Sequence, residues 1–327
     1  MSAAVTTRRA LLGTLLAAPA LRRARAAEAV SYLFPAPPYL PAFVPHHLAQ
    51  ARGYFAQEGV AVTFRTGRGG ADVAKQVAVG NADLGGGVGE TAMIVRANGP
   101  AVRGVALLGG HSLYSIAARR AAGIGGIAAL RGRRVGVISY QDTGYFALLG
   151  VLAASGLQKT DLHIEAVGNA GMTQLMIAGS LDAIMAVPEW CDAIESAGVK
   201  LDPFSIDAIF PAMAQAILAS DDIIRRRPTA VAGVVRAVLR AVADCMADPD
   251  AAARDYVAAV PQQQGRQEEV ARILRRYVAD VYPPVPPLAL GRFDPARLEA
   301  VEKFYLANGI IQTAVPVSEL YSNAFVG

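Results

Sequence analysis

Polar and aromatic residues cluster at the end of a short apolar run in the segment 130–157. Residues 135–139 are predicted to form a buried strand and 145–154 the helix after it. The turn between them, 140–144, places Tyr140, Asp142, Thr143 and Tyr145 at the carboxyl end of a strand. Open α/β sheets bind ligands there, and free helix amides point outwards. The turn therefore predicts a small-molecule site, although many such turns bind nothing.

The chain lacks the sequence patterns of common catalytic and metal sites. It has no Walker loop, no nucleophile elbow and no H-E-x-x-H run. Cys191, Cys245 and the four histidines are not spaced as metal ligands, so we expect no metal, no cofactor and no enzyme. Both cysteines are expected to be buried thiols, with a disulfide as the alternative. His46 and His47 are expected on the exposed face of an early helix.

Most of the net positive charge lies at the N-terminus. The formal charge is +4, but five arginines fall within the first 26 residues. Removing these five from the 31 basic side chains leaves 26 against 27 acidic ones, so the sequence offers no overall attraction for nucleic acid. An arginine pair, an apolar run and a small-residue cleavage pattern predict an export signal over residues 1–26. It resembles a twin-arginine signal, with an ordinary Sec signal as the alternative.

The residue directly after the predicted cleavage site is an alanine and not a cysteine, so we expect a freely soluble periplasmic protein without a lipid anchor. The chain of 327 residues, 53% of them hydrophobic, is long enough for two domains. Residues 76–84 are echoed by residues 174–184, because in both an apolar helix ends at a glycine and an aspartate precedes a short strand. This echo predicts two similar α/β halves, each with its own sheet. A chance likeness between two helix-turn-strand units is the alternative.

The order of the predicted elements suggests how the halves are connected. We assign residues 27–117 and 211–327 to one lobe, which includes the C-terminal helices, and residues 118–210 to the other. A chain that leaves one lobe and later returns crosses twice, and paired crossings predict a hinge. The sequence predicts a helix over 44–57, a polar turn at 168–171 and an apolar strand over 212–219. Further helices are predicted over 221–227, 228–247, 251–260, 267–282 and 294–308.

Several short segments, taken together, resemble one family. They are A-R-G-Y-F at 51–55, Q-V-A-V-G-N-A-D at 76–83, G-V-G-E at 87–90, L-R-G-R-R-V-G at 130–136, I-L-A-S-D-D at 217–222 and E-L-Y-S-N at 319–323. In this order they resemble the periplasmic solute-binding proteins of ABC importers, in the branch with aliphatic-sulfonate, nitrate and thiamine-pyrimidine binders. The resemblance spans nearly all of the mature chain.

This resemblance implies a type II periplasmic binding protein fold, with two lobes, a mixed sheet flanked by helices in each, and a two-strand hinge. It implies a protein, expected to be a monomer, that closes on a small solute and docks on a membrane permease. It also places loops at the strand ends in the cleft between the lobes. The ligand-binding residues expected there are Tyr39, Gly70, Asp72, Gly89, Glu90, Thr91, Ser112, Tyr140, Asp142, Thr143, Tyr145, Asn169, Glu189 and Trp190.

The chemistry of these residues favours one kind of ligand. Tyrosine and tryptophan suit stacking against a flat molecule, with ordinary packing as the alternative. Four of the residues are carboxylates, whereas a sulfonate or nitrate would prefer helix N-termini that no carboxylate opposes. We therefore expect a neutral or weakly basic planar heterocyclic or aromatic solute, with anion binding as the alternative. Asp72 and Asp142 also suit the role of helix N-caps.

Two further functions remain open at this point. The chain could bind a ligand and present it to a sensor protein instead of a permease. Part of the family resembles pyrimidine synthases that consume one of their own histidines, for which His46 or His111 would be the candidates. The chain lacks the cysteine-rich run of those synthases, so the enzyme is the weaker alternative.

Overall fold

Ten strands form two separate five-stranded sheets in the computed structural model, which describes Met1 and residues 26–327. The predicted export signal therefore lies outside the described residues, apart from its two ends. The strands are β1 (Glu28–Phe34), β2 (Val60–Thr66), β3 (Leu84–Val88), β4 (Val102–Leu107), β5 (Ser115–Arg119), β6 (Arg134–Val137), β7 (His163–Ala166), β8 (Ala183–Ala186), β9 (Leu201–Ser205) and β10 (Gln215–Ser220).

The two sheets have the same topology. Their strand orders are β2-β1-β3-β10-β4 and β7-β6-β8-β5-β9. In each, the first three strands are parallel and the fourth runs antiparallel to both of its neighbours. Helices cover the sheets, so central strands such as β8 are buried throughout, which explains their unbroken apolar sequence. The expected two-lobed fold with a mixed sheet in each lobe is confirmed.

Helices occupy several of the connections between the strands and most of the C-terminal part. We refer to the first sheet and the helices packed on it as the first lobe, and to the second sheet with α5, α6 and α7 as the second lobe. The helices are α1 (Val44–Ala51), α2 (Tyr54–Gln57), α3 (Gly70–Ala78), α4 (Thr91–Arg96), α5 (Thr143–Ala154), α6 (Gly168–Ala178), α7 (Pro188–Ser196), α8 (Asp221–Arg226), α9 (Pro228–Ala247), α10 (Pro249–Ala259), α11 (Gln267–Asp280), α12 (Pro295–Ala307) and α13 (Val317–Leu320).

The similarity between residues 76–84 and residues 174–184 has a structural cause. Helices α3 and α6 each lead into the third strand of their sheet, β3 and β8. The aspartate before each strand accepts a backbone hydrogen bond from the neighbouring strand. Asp83 accepts from the Ser31 amide at 2.7 Å, and Asp182 from the Arg134 amide at 2.9 Å. The two aspartates thus tie equivalent strands together, which explains why both halves have one at this position.

Two chain crossings join the sheets. Residues 108–114 connect β4 to β5, and residues 206–214 connect β9 back to β10. The crossings are hydrogen-bonded to each other, because the Leu113 amide donates to the Met213 carbonyl at 3.3 Å. The predicted boundary at 117/118 falls inside β5, and the one at 210/211 falls inside the second crossing. Paired crossings of this kind provide a hinge.

Some local predictions differ from the structure. The helix expected over 44–57 is interrupted at Gly53, whose φ of 70° is left-handed, so two shorter helices form. The turn expected at 168–171 is the first turn of α6, because Gly168 adopts a φ of 68° and starts the helix directly after β7. The strand expected over 212–219 begins at Gln215, since the residues before it belong to the crossing.

Helices α8 to α12 lie close to the bounds predicted for them. Helices α9, α10 and α13 pack on the first lobe. Cys191 and Cys245 are buried free thiols, as predicted. Among the described residues, no helix combines the length and the apolar character needed to cross a bilayer.

The C-terminal tail packs against strand β4 through a close aromatic contact. Phe293 is fully buried, and its ring lies where a side chain at Gly104 would begin, 2.3 Å from the Cβ position. The Ser322 amide also donates to the Gly104 carbonyl at 2.8 Å. A glycine at position 104 therefore lets the tail approach the edge of the first sheet.

We expect Gly104→Ala to lower the free energy of unfolding by about 1–3 kcal/mol, because the added methyl group would displace the Phe293 ring from a packed core. Urea unfolding followed by circular dichroism measures the change. Gly125→Ala is the matched control, since nothing lies within 4 Å of a Cβ at that exposed position. Equal destabilisation by the two substitutions would contradict the packing role of Gly104.

Candidate functional site

A cavity of about 720 Å³, counting the part open to solvent, lies between the two lobes. Its walls are mainly apolar and aromatic, which is typical of a small-molecule site. The lining residues are Tyr32, Pro35, Ala36, Leu40, Ala42, Phe43, His46, Gly70, Gly86, Gly87, Val88, Leu108, Leu113, Tyr114, Ile138, Asp142, Thr143, Asn169, Val187, Glu189, Trp190, Gln215, Ala216 and Tyr277.

The ends of several helices meet at this cavity. Helix α3 begins at Gly70 in the first lobe, and α5 and α7 begin at Thr143 and Pro188 in the second. A Cβ at Gly70 would lie 3.3 Å from the Thr143 methyl carbon, so the two lobes are in contact here. The helices start here because the preceding strands end at the same edge of each sheet.

Carboxyl groups occupy the starts of these helices. Asp142 caps α5 by accepting a hydrogen bond from the Gly144 amide at 2.9 Å, as its predicted N-cap role requires. Asp72, in the first turn of α3, instead accepts from the Arg68 amide at 3.0 Å. Glu189 lies in the first turn of α7. Each helix N-terminus therefore already has a negative side chain, which reduces its attraction for an anionic ligand.

Burial raises the pKa of the cavity carboxyls. It raises the pKa of Asp142 to about 6 and that of Glu189 to about 6, with hydrogen bonds to the ionised forms opposing the rise. Glu90 lies outside the lining but is also fully buried, and burial raises its pKa to about 7. Among the described residues that line the cavity, none is a lysine or an arginine. The described lining therefore has two carboxyl groups and no basic side chain to pair with them.

Helix α11 packs against α7 of the second lobe and forms one side of the cavity. The Tyr277 hydroxyl donates to Glu189 Oε2 at 2.8 Å, inside the cavity wall. Arg272 donates to Asp192 at 3.3 Å, and Arg276 donates to Glu195. Because α11 packs on α9 and α10 of the first lobe, these three contacts bridge the lobes.

The structure brings six of the fourteen predicted site residues to the cavity wall: Gly70, Asp142, Thr143, Asn169, Glu189 and Trp190. Trp190 is 8% exposed and contributes the large aromatic surface of the second lobe.

Five predicted residues of the first lobe lie beside or behind the wall. The Tyr39 side chain is 40% exposed, while its carbonyl accepts hydrogen bonds from Tyr256 and Gln263. Glu90 accepts from the Met213 amide at 3.2 Å and thus ties the end of β3 to the second crossing. Thr91 accepts from the Val88 amide at 2.9 Å, and a Cβ at Gly89 would overlap Met213. Asp72 also lies outside the lining.

Three predicted residues lie at other surfaces. Tyr140 is 53% exposed, its hydroxyl donates to the Ile164 carbonyl, and its ring packs against Tyr145. Tyr145 lines a separate depression beside His163. Ser112 accepts from the Tyr114 amide at 3.1 Å and lines a depression at the crossings.

Several lining residues were not predicted from the sequence, and His46 is the clearest of them. The expectation that both histidines lie exposed is wrong, because His46 is 1% exposed and His47 is partly buried. Helix α1 packs this face against the first sheet, where the His46 ring centroid lies 4.6 Å from that of Tyr32. Gln215 was also not predicted as a site residue, although a single polar residue at the start of an apolar strand can indicate one. Tyr277 gave no signal, since it comes from a helix far along the chain.

These features define a class. Two sheets of like topology, a double crossing and a cavity between the lobes are the architecture of the periplasmic binding proteins. A family model described as NMT1/THI5 like matches residues 40–252, and the chain belongs to this family.

Named relatives cover most of the chain. It is 25% identical over 302 residues to the riboflavin-binding protein RibY of Chloroflexus aurantiacus, covering 87% of this chain and 82% of that protein. The alkanesulfonate-binding protein SsuA of Xanthomonas axonopodis, solved with bound MOPS, superposes with a TM-score of 0.71 at 18% identity over 91% of this chain and 98% of that one. The aliphatic sulphonate binding protein SsuA of Escherichia coli gives 0.70 at 15% identity over 89% and 91%. These structures share the fold.

We expect Gly70→Leu to hold the lobes apart, because its side chain would fill the space between Thr143 and the Gly87 backbone, each within 3.4 Å of the Cβ position. Small-angle scattering should give a larger radius of gyration than for the wild type. Gly125→Leu, at an exposed position with open space, should leave the scattering unchanged. Identical curves for all three proteins would show that closure does not depend on this contact.

We expect Glu189→Gln to become more stabilising relative to the wild type as the pH rises from about 4.5 to about 7. The raised pKa means that the folded protein keeps a proton that the unfolded chain has already released, so wild-type stability is lost across this interval. A shift from 4.5 to about 6 corresponds to roughly 2 kcal/mol. Urea unfolding at pH 4.5 and 7.5 measures it. Glu299→Gln, which removes an exposed partner of Lys303, serves as the control and should not reproduce this trend.

Proposed function

We propose that the chain is the solute-binding protein of an ABC importer. Its lobes close on a small planar heterocyclic or aromatic solute in the cavity, and the closed form delivers the solute to an inner-membrane permease. We place it in the periplasm, as a monomer that binds its solute without changing it chemically. The named relatives are all binding proteins, which supports this view.

The observation that carries the proposal is the composition of the cavity wall. Aromatic rings from both lobes, among them Tyr32, Phe43 and Trp190, line the space between the lobes. Flat ring systems stack on such walls, and apolar clefts with a few polar groups are typical small-molecule sites. The riboflavin-binding relative supports a ring ligand.

The charges of the wall argue against the anionic alternative. A sulfonate would meet Asp142 and Glu189 without a lysine or arginine among the described lining residues. Burying an anion requires a paired cation or free amide donors, and here a carboxylate already caps helix α5. The solute of this chain is therefore proposed to differ from the sulfonates of the two SsuA proteins.

The proposal is tested by identifying the solute and then disrupting its contact. Native mass spectrometry of protein purified without denaturation should reveal the bound molecule, and calorimetry with that molecule gives its affinity. We expect Trp190→Ala to weaken binding roughly 10- to 100-fold, because it removes a large buried stacking surface. Circular dichroism checks that the variant remains folded.

Tyr140→Ala is the matched aromatic control, since Tyr140 is 53% exposed and lies outside the cavity lining. It should bind the solute with wild-type affinity. Unchanged affinity in Trp190→Ala would show that the solute does not occupy this cavity. Uptake of the labelled solute by cells lacking the chain then tests delivery, and undiminished uptake would rule out the transport role.

A further inference from the structure

Two polar side chains in the cavity wall of the first lobe have buried atoms without a hydrogen-bond partner among the described residues. His46 and Gln215 both line the cavity and are 1% and 7% exposed. Neither ring nitrogen of His46, nor Oε1 of Gln215, has a hydrogen-bond partner among the described residues. Most buried polar atoms in folded proteins are paired, because an unpaired one loses its bonds to water without replacement. Three unpaired atoms on one cavity wall point to a ligand that pairs with them.

Hydrogen bonding fixes how Gln215 presents its amide. Its Nε2 donates to the Ala42 carbonyl at 3.1 Å, in the turn that leads into helix α1. The reversed amide would place oxygen against oxygen, so the assignment of the two amide atoms is determined. Oε1 is therefore an acceptor that requires a donor from the ligand.

The packing around His46 fixes its charge. Its ring lies among the aromatic rings of Tyr32 and Phe34, at centroid distances of 4.6 and 5.0 Å. Burial, together with the nearby charge of His47, lowers the pKa of His46 to about 3. The imidazole is thus neutral at ordinary pH and offers one N–H donor and one nitrogen acceptor. His46 and Gln215 together present one donor, two acceptors and no charge to the cavity.

We propose that His46 and Gln215 recognise a ring amide edge, an N–H beside a C=O, on an uncharged planar heterocycle. The ring carbonyl accepts from the His46 N–H, and ring N–H groups donate to the remaining acceptors. A sulfonate has only acceptor oxygens, so it would leave Oε1 of Gln215 and one His46 nitrogen unpaired. This inference rests on the proposed function and specifies the ligand class of the same cavity.

The test combines two variants with matched probes. The variants are His46→Phe and Gln215→Met, which keep the approximate shape but remove the polar atoms. Riboflavin and thymine carry the ring amide edge, N3-methylriboflavin has the ring N–H blocked, and MOPS is a sulfonate without a flat ring. Calorimetry with each probe measures the affinities.

We expect the wild type to bind riboflavin or thymine and to bind the N-methylated probe roughly 10- to 100-fold more weakly, since one donor is lost. Each variant should lose affinity for the unmethylated ring by a similar factor. Gln215→Met should lose less than about threefold for N3-methylriboflavin, because the ring N–H that donates to Oε1 is already blocked. His46→Phe should still bind N3-methylriboflavin more weakly than the wild type does, because the ring carbonyl loses its donor.

A second readout separates recognition from a structural role. In protein stripped of ligand, His46→Phe should melt at the wild-type temperature or above it, because an apolar ring replaces unpaired polar atoms among aromatic neighbours. A marked fall in melting temperature, with affinities unchanged, would make His46 a packing residue and overturn the inference.

The remaining outcomes distinguish this inference from the proposed function. Binding of MOPS without riboflavin or thymine, or equal binding of the methylated and unmethylated flavins, would overturn the ring amide edge and leave solute binding in place. Failure of the protein to bind any small molecule, including those found by native mass spectrometry, would overturn both.

Discussion

The geometry of the cleft depends on two short chain crossings that lie side by side. One carries the chain from the first sheet to the second, and the other brings it back. Within residues 26–327, no strand of one sheet pairs with a strand of the other. The crossings are bonded to each other from Leu113 to Met213, and Leu108 donates to the Gln215 carbonyl at 2.7 Å. Strand β10 therefore starts at the crossing, and its first residue faces the cavity. The hinge and the binding wall are built from the same few residues.

This arrangement explains how residues distant in sequence combine in one wall. The first lobe contributes the turn before α1 and the start of α3, and the second contributes the starts of α5 and α7. Helix α11 adds Tyr277, which bonds to Glu189 across the lobes. Because neither lobe alone encloses the space, a solute gains full burial only when both lobes contact it. Selection of the closed form by the solute follows from this geometry.

The architecture could be predicted from the sequence because the patterns that indicate strands and helix ends are local. Apolar runs of four to six residues predicted the buried strands, and glycine, proline and capping residues predicted the helix ends within a few positions. The repeated helix-glycine-aspartate-strand pattern predicted the two halves, and Asp83 and Asp182 do make equivalent bonds. Asp142, Thr143 and Trp190 were located from strand-end turns, since such turns meet at one edge of a sheet.

The remaining residues of the wall depend on tertiary packing that no local pattern encodes. Tyr140 and Trp190 both follow a strand, yet the first is largely exposed and the second is buried. His46 and His47 are adjacent, and only the packing of α1 decides which of them is fully enclosed. Tyr277 reaches the cavity from a helix more than eighty residues beyond Glu189. Such side chains can be identified as site residues only from the folded structure.

The ion pairs between α11 and α7 make the contact between the lobes sensitive to salt concentration. Arg272 and Arg276 remain partly open to water, so dissolved ions weaken their attraction to Asp192 and Glu195. These pairs join α11 of the first lobe to α7 of the second, so their screening weakens an attraction between the lobes and leaves the cavity wall itself unaltered. Ionic strength therefore acts on the contact between the lobes through residues that lie outside the cavity lining.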